Sequence, residues 1–366
     1  MKKTLIALAI MGASAGAAYA PSPVTLYGIV DTGFIKESGK DIRMGENVNN
    51  RIGFRGVEDL GSGQAATFEL ERRFNLNDGT LRESNGKDVK GTTDWDGAAN
   101  VGLKGDAWGA VRLGRVNELT TETIRKMDPF YQYGVGSMFL SKQRSARISD
   151  TVRYDSPNWS GFHFGATYSL GGNTNNDSAS TQMKIVDANG ADNDGYAISL
   201  GYDNGPLALV GNWSRVADSN KSYSWNLGAA YKFGPARVSL AYENTKNKGW
   251  WLGDQSAANA AAGMTLGEQS KQQNWLLGLE WALGPGRLNA SVNYARVKDV
   301  QGIADWNDTK DVFKYALGYT YNLSKRTSVY GNVAYTDFDD NKVGEFYGAT
   351  GRDSVTGVQV GITHKF

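Results

Sequence analysis

The chain offers few residues for covalent or metal chemistry. It contains no cysteine and two histidines, His163 and His364. Nucleophilic catalysis by a serine needs a histidine that is oriented by a carboxylate. His163 follows a turn-like sequence and His364 stands two residues before the C-terminus, so neither is well placed for that role. No phosphate-binding loop or histidine–carboxylate metal motif is present, and we expect no enzyme activity, no cofactor and no metal site.

Arginines that alternate with apolar residues indicate electrostatic chemistry instead. Arg51, Gly53 and Arg55 alternate with Ile52 and Phe54. Successive side chains of a β-strand point to opposite faces, so the arginines should share one polar face while the apolar pair occupies the other. A guanidinium stays charged even where water is restricted. A row of such groups along a polar passage would influence which ions pass through it.

The same two-residue period continues along the chain and is clearest at its end. Val358, Val360 and Ile362 fall on one face of the last segment, and Gln359 and Thr363 fall on the other. The chain then ends on Phe366. A terminal aromatic residue on an amphipathic strand is typical of proteins that a barrel assembly machinery inserts into an outer membrane, and we interpret Phe366 as that assembly signal.

The connections between these segments alternate between short and long. Seven short ones are rich in Gly, Pro, Asn and Asp, as turns are, and cover Glu58–Gly63, Lys104–Trp108, Asp155–Gly161, Tyr202–Pro206, Phe233–Ala236, Leu283–Gly286 and Asn322–Arg326. Eight long polar ones cover roughly 37–49, 77–94, 117–146, 171–193, 217–221, 247–271, 298–310 and 339–352. Fifteen connections predict sixteen strands with both chain ends on one side, which is the plan of bacterial transmembrane barrels.

The predicted strands are long enough to cross a membrane at a tilt, which takes about 9–11 residues. We place them near 24–36, 48–58, 64–76, 95–104, 108–116, 147–155, 161–170, 194–203, 206–216, 222–233, 236–246, 272–283, 286–297, 311–322, 326–338 and 353–366. A barrel of this size is wide enough for an aqueous channel. The mean hydropathy of −0.45 suits a chain in which only every second residue faces lipid. A secreted soluble β-protein is the alternative that composition leaves open.

The N-terminus has the three parts of a secretory signal peptide. Lys2 and Lys3 precede a short apolar run and a small-residue stretch that ends at Ala20, although Pro21 is an unusual residue to follow a cleavage site. We therefore predict a signal peptide at 1–20 and a barrel domain at 21–366. The 39 basic and 38 acidic residues give a nearly neutral chain, so nothing indicates a nucleic-acid partner.

Several stretches resemble the general porins of β-proteobacteria, in family order over the whole predicted mature chain. They are VTLYGIVD at 24–31, RIGFRGVEDLG at 51–61, VRLGR at 111–115, VRYDSPNWSGF at 152–162, YDNGPL at 202–207, LGYTYNLSKRTSVYGNVAY at 317–335 and TGVQVGITHKF at 356–366. The resemblance implies an all-β fold, a 16-stranded antiparallel transmembrane β-barrel with an infolded third extracellular loop. It also implies a homotrimer in the cell outer membrane of a Gram-negative bacterium.

That resemblance makes 117–146 the constriction loop and assigns charges around it. Arg51, Arg115, Arg147 and Arg153, with Arg144 and Arg73 as further candidates, would form a basic wall. Glu118, Glu122 and Asp128 would form an acidic side on the loop, so that a field crosses the opening. One departure is the stretch 95–100, where an acid and small residues stand at the place of arginines in strongly anion-preferring relatives.

We therefore expect a general diffusion porin for small hydrophilic solutes and ions, weakly anion-preferring or near neutral. The alternatives are a substrate-specific outer-membrane channel and a surface-recognition barrel. The expected partners are further copies of the chain, outer-membrane lipid and lipopolysaccharide, the barrel assembly machinery, and the solutes themselves.

Overall fold

Alternating sequences of this kind pair into a single closed sheet. The computed structural model describes residues 24–81, 95–138, 147–170, 194–215, 217, 222–247, 270–300, 306, 308–347, 349 and 351–366. Sixteen long antiparallel strands form the barrel: β1 (Val24–Glu37), β3 (Arg51–Gly61), β4 (Gln64–Arg73), β5 (Ala98–Gly105), β6 (Gly109–Asn117), β7 (Arg147–Asp155), β8 (Phe162–Ser169), β9 (Gly195–Asn204), β10 (Leu207–Arg215), β11 (Tyr223–Phe233), β12 (Ala236–Asn247), β13 (Ser270–Leu283), β14 (Gly286–Lys298), β15 (Lys310–Asn322), β16 (Thr327–Phe338) and β17 (Ser354–Lys365). A three-residue strand, β2 (Arg43–Gly45), lies in the first long connection and pairs with β1.

The sheet closes on itself at the first strand. The N-terminal half of β1 pairs with β3, and its C-terminal half pairs with β17 from Ile29↔Lys365 to Glu37↔Gly357. Every other long strand pairs with its neighbours in sequence. Closure leaves no strand edge open to lipid, where an unpaired backbone group would cost several kcal/mol. The all-β class and the sixteen barrel strands are confirmed, and each predicted strand boundary lies within three residues of the observed one.

Asp31 marks the seam of the barrel. Its carboxylate is buried and accepts hydrogen bonds from the hydroxyls of Tyr330 (2.8 Å) and Thr363, and from the backbone N–H of Asn47 (2.6 Å). These donors come from β16, β17 and the first long connection. One buried carboxylate thus ties the first strand to the last two.

Short turns at one end of the barrel set the register of the hairpins. In the β9–β10 hairpin, Asn204 pairs with Leu207 and Gly205 has a φ of +56°, a left-handed conformation that glycine adopts readily. Gly284, between β13 and β14, has a φ of +58° for the same reason. The long connections all leave the opposite end.

The two faces of the sheet differ as the alternation predicts. Large apolar side chains on the outer face are exposed, with Leu200 at 61% and Leu240 at 56%. Polar side chains on the inner face, including Asn226, Gln272 and Gln359, are buried. This is the arrangement of a barrel with an apolar belt around a polar interior. No helix in the described part of the chain is long and apolar enough to cross a membrane.

Candidate pore constriction

The long connection after β6 begins with a short helix, α1 (Leu119–Ile124), followed by a 3-10 turn (Arg125–Met127). Glu118 caps the helix: its carboxylate accepts the backbone N–H groups of Thr120 (3.1 Å) and Thr121 (2.5 Å). The first N–H groups of a helix have no partner within it, and such a cap satisfies them. The cap therefore fixes where the helix starts as the chain leaves the wall.

Asp128 organises the turn that follows. Its side chain is fully buried and accepts backbone N–H groups from Phe130 (3.0 Å), Gln132 (2.8 Å) and Met138 (2.9 Å). Burial nevertheless raises the pKa of Asp128 above its usual value, against the lowering effect of these three bonds. The carboxylate thus holds together two parts of the connection that are ten residues apart.

Apolar packing seats this segment on the inner face of the sheet. Ile124, Met127 and Met138 form a buried cluster with Ala230, Ala241 and Leu276. The three wall residues lie on the face opposite the exposed Leu227, Leu240 and Leu277. Burying apolar side chains against an otherwise polar wall is favourable by about 25 cal/mol per Å².

Hydrogen bonds extend the contact around the wall. The Ser239 hydroxyl donates to the Met127 carbonyl (2.6 Å), the Lys314 ammonium donates to the Ser137 carbonyl (2.7 Å), and the Val135 N–H donates to the Gln359 side chain (3.2 Å). Ser239, Lys314 and Gln359 belong to β12, β15 and β17. The segment Glu118–Met138, which we call the inner segment, therefore runs along more than half of the circumference inside the barrel.

Four arginines gather where the inner segment approaches the opposite wall. Arg51 and Arg73 share Glu71 as a carboxylate partner, at 3.7 Å and 2.9 Å. Arg147 lies close enough to Arg73, Glu71 and Arg125 for their charges to interact. Arg125 comes from the inner segment itself. The cluster Arg51, Arg73, Arg125 and Arg147, which we call the arginine cluster, thus combines guanidinium groups of the wall with one from the inner segment.

Tyr133 joins the two sides of the cluster. The Arg51 guanidinium donates to its hydroxyl (3.3 Å), and the Arg125 guanidinium lies over its ring at 5.6 Å. Although burial raises the pKa of Tyr133, the charges of Arg51 and Arg125 outweigh that effect and lower it to about 8. A phenol that ionises this near neutrality reports a strongly positive surrounding.

Residues 95–100 are the stretch in which the sequence has an acid and small residues instead of arginines. The backbone of this stretch holds two arginines in place. The Asp96 carbonyl accepts from Arg115 (2.8 Å), and the Gly97 carbonyl accepts from Arg147 (3.1 Å). Arg115 also donates to the Ser149 hydroxyl (2.9 Å). The backbone of 96–97 orients guanidinium groups that neighbouring strands supply, a role that the residue types at 95–100 do not reveal.

Arg153 and Glu122 form a direct anchor rather than facing each other across an opening. Their side chains meet at 2.5 Å, and Arg153 also pairs with Asp155 at 2.8 Å. Arg153 further donates to the Asn117 carbonyl (3.1 Å), at the point where β6 ends. The wall strand β7 is thereby fastened to the first turn of α1.

Glu118 and Asp128, predicted for the acidic side of the opening, are both hydrogen-bonded to backbone N–H groups of the inner segment. Both carboxylates turn into the inner segment, because its backbone N–H groups need acceptors. Glu122 forms an ion pair with Arg153. Arg144 lies outside the described residues. Arg51, Arg73 and Arg147 do come together at one place, whereas Arg115 and Arg153 lie beside it, each held by wall or loop atoms.

The sequence did not reveal Arg125, the contact of Tyr133 with the arginines, or a second basic group. Arg237 and Arg287 pair with Glu280 at 2.8 Å and 3.0 Å, and both reach the inner segment. Arg237 donates to the Lys126 carbonyl (2.8 Å), and Arg287 lies over the Tyr131 ring at 5.4 Å. A signal for Arg125 was present, since Leu119, Ile124 and Met127 mark one face of a helical turn and leave Arg125 beside it.

Comparisons with known proteins agree with this geometry. A family model described as Gram-negative porin matches residues 5–341. Outer membrane porin protein 32 of Delftia acidovorans is 33% identical over 399 residues, and an outer membrane porin protein of Bordetella pertussis is 31% identical over 412 residues, each match covering 100% of both chains. The solved structure of an anion-selective porin from Comamonas acidovorans superposes with a TM-score of 0.70 at 28% identity, covering 94% of this chain and 100% of that one.

A closed sixteen-stranded barrel, a polar interior narrowed by an inner segment, and full-length similarity to outer-membrane porins lead to one assignment. The protein is an outer-membrane diffusion channel rather than an enzyme, and the chain belongs to the Gram-negative porin family.

Proposed function

We propose that this porin passes small hydrophilic solutes and ions by passive diffusion and prefers anions. The arginine cluster is the observation that carries this preference. Arg51 and Arg73 share one carboxylate, Glu71, and Arg125 and Arg147 add positive charge within interaction distance. Charged side chains that ring a narrow opening set ion preference.

The shape of the field also differs from a simple basic wall facing an acidic loop. With Glu118 and Asp128 hydrogen-bonded within the inner segment, the loop side contributes Arg125, which lies next to the wall arginines through Tyr133. Wall and inner segment would therefore both attract anions. Arg237 and Arg287, close to Lys126 and Tyr131, add basic groups along another part of the inner segment.

Planar-bilayer recording separates this function from the alternatives. General diffusion predicts large current steps that grow linearly with KCl concentration and are not blocked by millimolar sugars or dicarboxylates. Concentration-dependent block would instead show a substrate-specific channel. The absence of steps from correctly folded protein would contradict both and leave a surface-recognition barrel.

We further propose that the protein assembles as a homotrimer through one sector of its outer face. Tyrosine and tryptophan side chains, which favour the membrane–water boundary, lie along β8–β16, including Tyr196, Trp225, Trp275 and Trp281. Trp95 apart, the described outward residues of β17, β1, β3, β4 and β5 include no tyrosine or tryptophan, and the large apolar ones are mostly valine, leucine and phenylalanine. An apolar face without such a belt suits contact with other copies. A trimer that resists SDS until heated, and weakens when Val101→Lys is introduced there, would support this.

Two further proposals concern biogenesis. Residues 1–20, which lie outside the described part of the chain, act as a signal peptide, and Phe366 is recognised by the barrel assembly machinery. Phe366 supports this by its position, because its backbone pairs with Gly28 at 3.0 and 3.1 Å while its ring is 41% exposed on the outside. Phe366→Ala should lower the amount of barrel in the outer membrane without altering the conductance of the barrels that do form.

A further inference from the structure

A chamber of about 600 Å³ lies inside the barrel and is bounded by the inner segment, the wall and the last long connection. Its wall is the inner face of β15, β16 and β17, where register places Lys314, Thr336 and Val355 side by side in one row. Residues of the inner segment between 134 and 138 form its floor. The volume of this space, which we call the side chamber, lies within the range of about 300–1,000 Å³ that is usual for small-molecule sites.

The floor is packed against the wall along the next row toward the short-turn end. Phe130 forms a buried cluster with Ala316 and Ala334, and Val135 packs against the same cluster. Gly357 lets Val135 come close, since a Cβ there would stand 3.1 Å from the Val135 side chain. A solute in the side chamber would therefore rest on the inner segment in this sector instead of passing beneath it.

The last long connection forms a fixed roof over the side chamber. It contains a short helix, α2 (Asn341–Phe346), whose Val343 is fully buried in an apolar cluster with Phe338 of the wall. The hydroxyl of Tyr347, just after the helix, accepts a hydrogen bond from the side chain of Gln272 on β13 (3.0 Å). Packing and a hydrogen bond to the wall thus form the site in advance, which lowers the cost of binding.

The polar end of the side chamber carries a positive excess. Among its described lining residues, Lys40, Lys314 and Arg352 are basic, and Glu37 is the one acid. Glu37 already pairs with Lys40 at 3.3 Å and with Arg43, which lies just outside the lining, at 2.9 Å. The acid is therefore shared between two bases and leaves positive charge at this end.

Arg352 is the group that can meet an incoming anion. Lys314 is fixed by the Ser137 carbonyl at 2.7 Å and senses the negative charges of Asp128 and Glu37. Arg352 is exposed, and its guanidinium lies over Gly39, where a side chain would overlap it. No carboxylate in the described part of the chain forms an ion pair with Arg352. Since a guanidinium is planar and always charged, it suits the two oxygens of a carboxylate.

Aromatic and aliphatic side chains line the rest of the side chamber. The rings of Phe338 and Tyr347 lie 5.9 Å apart between centroids and are nearly parallel, at 22°. Val355 and Met138 add apolar surface beside them. A small inorganic ion would gain nothing from this lining, whereas a solute with an apolar ring would bury it there.

We propose that the side chamber binds an organic monoanion in which one carboxylate is joined to an apolar ring body. The carboxylate lies toward Arg352, where a charge-assisted hydrogen bond can form, and the ring body lies along Phe338 and Tyr347. This names one class of solute for the proposed diffusion channel, and it rests on that function in that the anion reaches the chamber through the channel interior. The site is separate from the arginine cluster, since the cluster belongs to β3, β4, β7 and the earlier part of the inner segment.

Isothermal titration calorimetry of the purified full-length protein in neutral detergent tests the site. The probes are naphthoate and its neutral isostere naphthamide. The wild type should bind naphthoate about tenfold more tightly, because hydrogen bonds to charged groups are stronger than neutral ones. Equal affinities for the two probes would overturn the proposal.

Two variants separate the contribution of charge from that of space. Arg352→Gln should lower the affinity for naphthoate to that for naphthamide, whereas Arg326→Gln, in the exposed turn between β15 and β16, should leave both unchanged. Thr336→Trp fills the side chamber at constant charge and should weaken both probes. Undiminished naphthoate binding by either chamber variant would overturn the proposal. Because Arg352 is exposed, its variant keeps the test decisive even if Thr336→Trp fails to fold.

The proposal can fail without the channel function failing, because binding in detergent needs no current. Linear conductance steps from a wild type that does not bind naphthoate would reject the side-chamber site alone. Naphthoate binding that depends on Arg352, from a folded wild type that gives no steps, would reject the diffusion function and keep the site.

Discussion

At the scale of single residues, the constriction is shaped by which carboxylates remain available to pair with arginine. The carboxylates of Glu118 and Asp128 accept hydrogen bonds from backbone N–H groups of the inner segment, so they add no acidic surface to the opening. Among the described residues, Glu71 pairs with both Arg51 and Arg73, and the Asp96 carboxylate lies near Arg73 and Arg147. The positive excess that results is a consequence of loop folding as much as of arginine content.

Tyr133 should make ion preference depend on pH above neutrality. Its hydroxyl is neutral below its pKa of about 8 and negative above it, so raising the pH from 7 to 9 adds one negative charge beside Arg51 and Arg125. The zero-current potential in a KCl gradient should therefore move toward cations over that range. Tyr133→Phe should make this shift smaller, and an identical pH response in the variant would refute the assignment.

Arginine substitutions should weaken the anion preference at the same place. Arg51→Gln combined with Arg147→Gln removes two positive charges and should shift the zero-current potential toward cations. Arg55→Gln is a suitable control, because Arg55 is an exposed arginine of the same strand that lies over the Tyr27 ring. A shift of the same size in the control would show that overall charge, and not the constriction, sets the potential.

At the scale of elements, the positions of the strands depend on local sequence, whereas the conformation of the inner segment depends on contacts with residues far away in the chain. The strands follow local rules, since two-residue alternation and turn residues fix their positions to within three residues. The inner segment depends on distant partners: Met127 needs Ala241 and Leu276, and Ser137 needs Lys314. The sequence could place the loop by family order, but it could not show which way Glu118, Arg125 or Asp128 would turn.

The cap of α1 should control how firmly the inner segment is held. Glu118→Ala removes an N-cap, a loss of about 1 kcal/mol of helix stability, and also frees the first turn next to the Arg153 anchor. Single-channel records of the variant should show more open-channel noise than the wild type. Glu58→Ala, at an exposed site near the short-turn end, should leave the noise unchanged; equal noise in all three proteins would contradict a structural role for the cap.

At the scale of the whole molecule, one closed sheet faces three environments, which are the lumen, the lipid and the membrane–water boundary. Its inner face carries polar side chains and the arginine cluster, its outer face carries leucines and valines for lipid, and its rim carries aromatic rings. Alternation alone predicts the division between inner and outer faces. The division of the outer face into sectors appears only after the strands have been placed around the barrel, because it compares residues far apart in sequence.

The most direct measure of ion preference is the zero-current potential of the wild-type channel in a tenfold KCl gradient. An arginine cluster to which both the wall and the inner segment contribute predicts a potential whose sign shows chloride to be more permeant than potassium. The potential should fall toward zero as ionic strength rises and screens the charges. A potential with the cation-selective sign at pH 7 would show that the arginine cluster does not make this channel prefer anions.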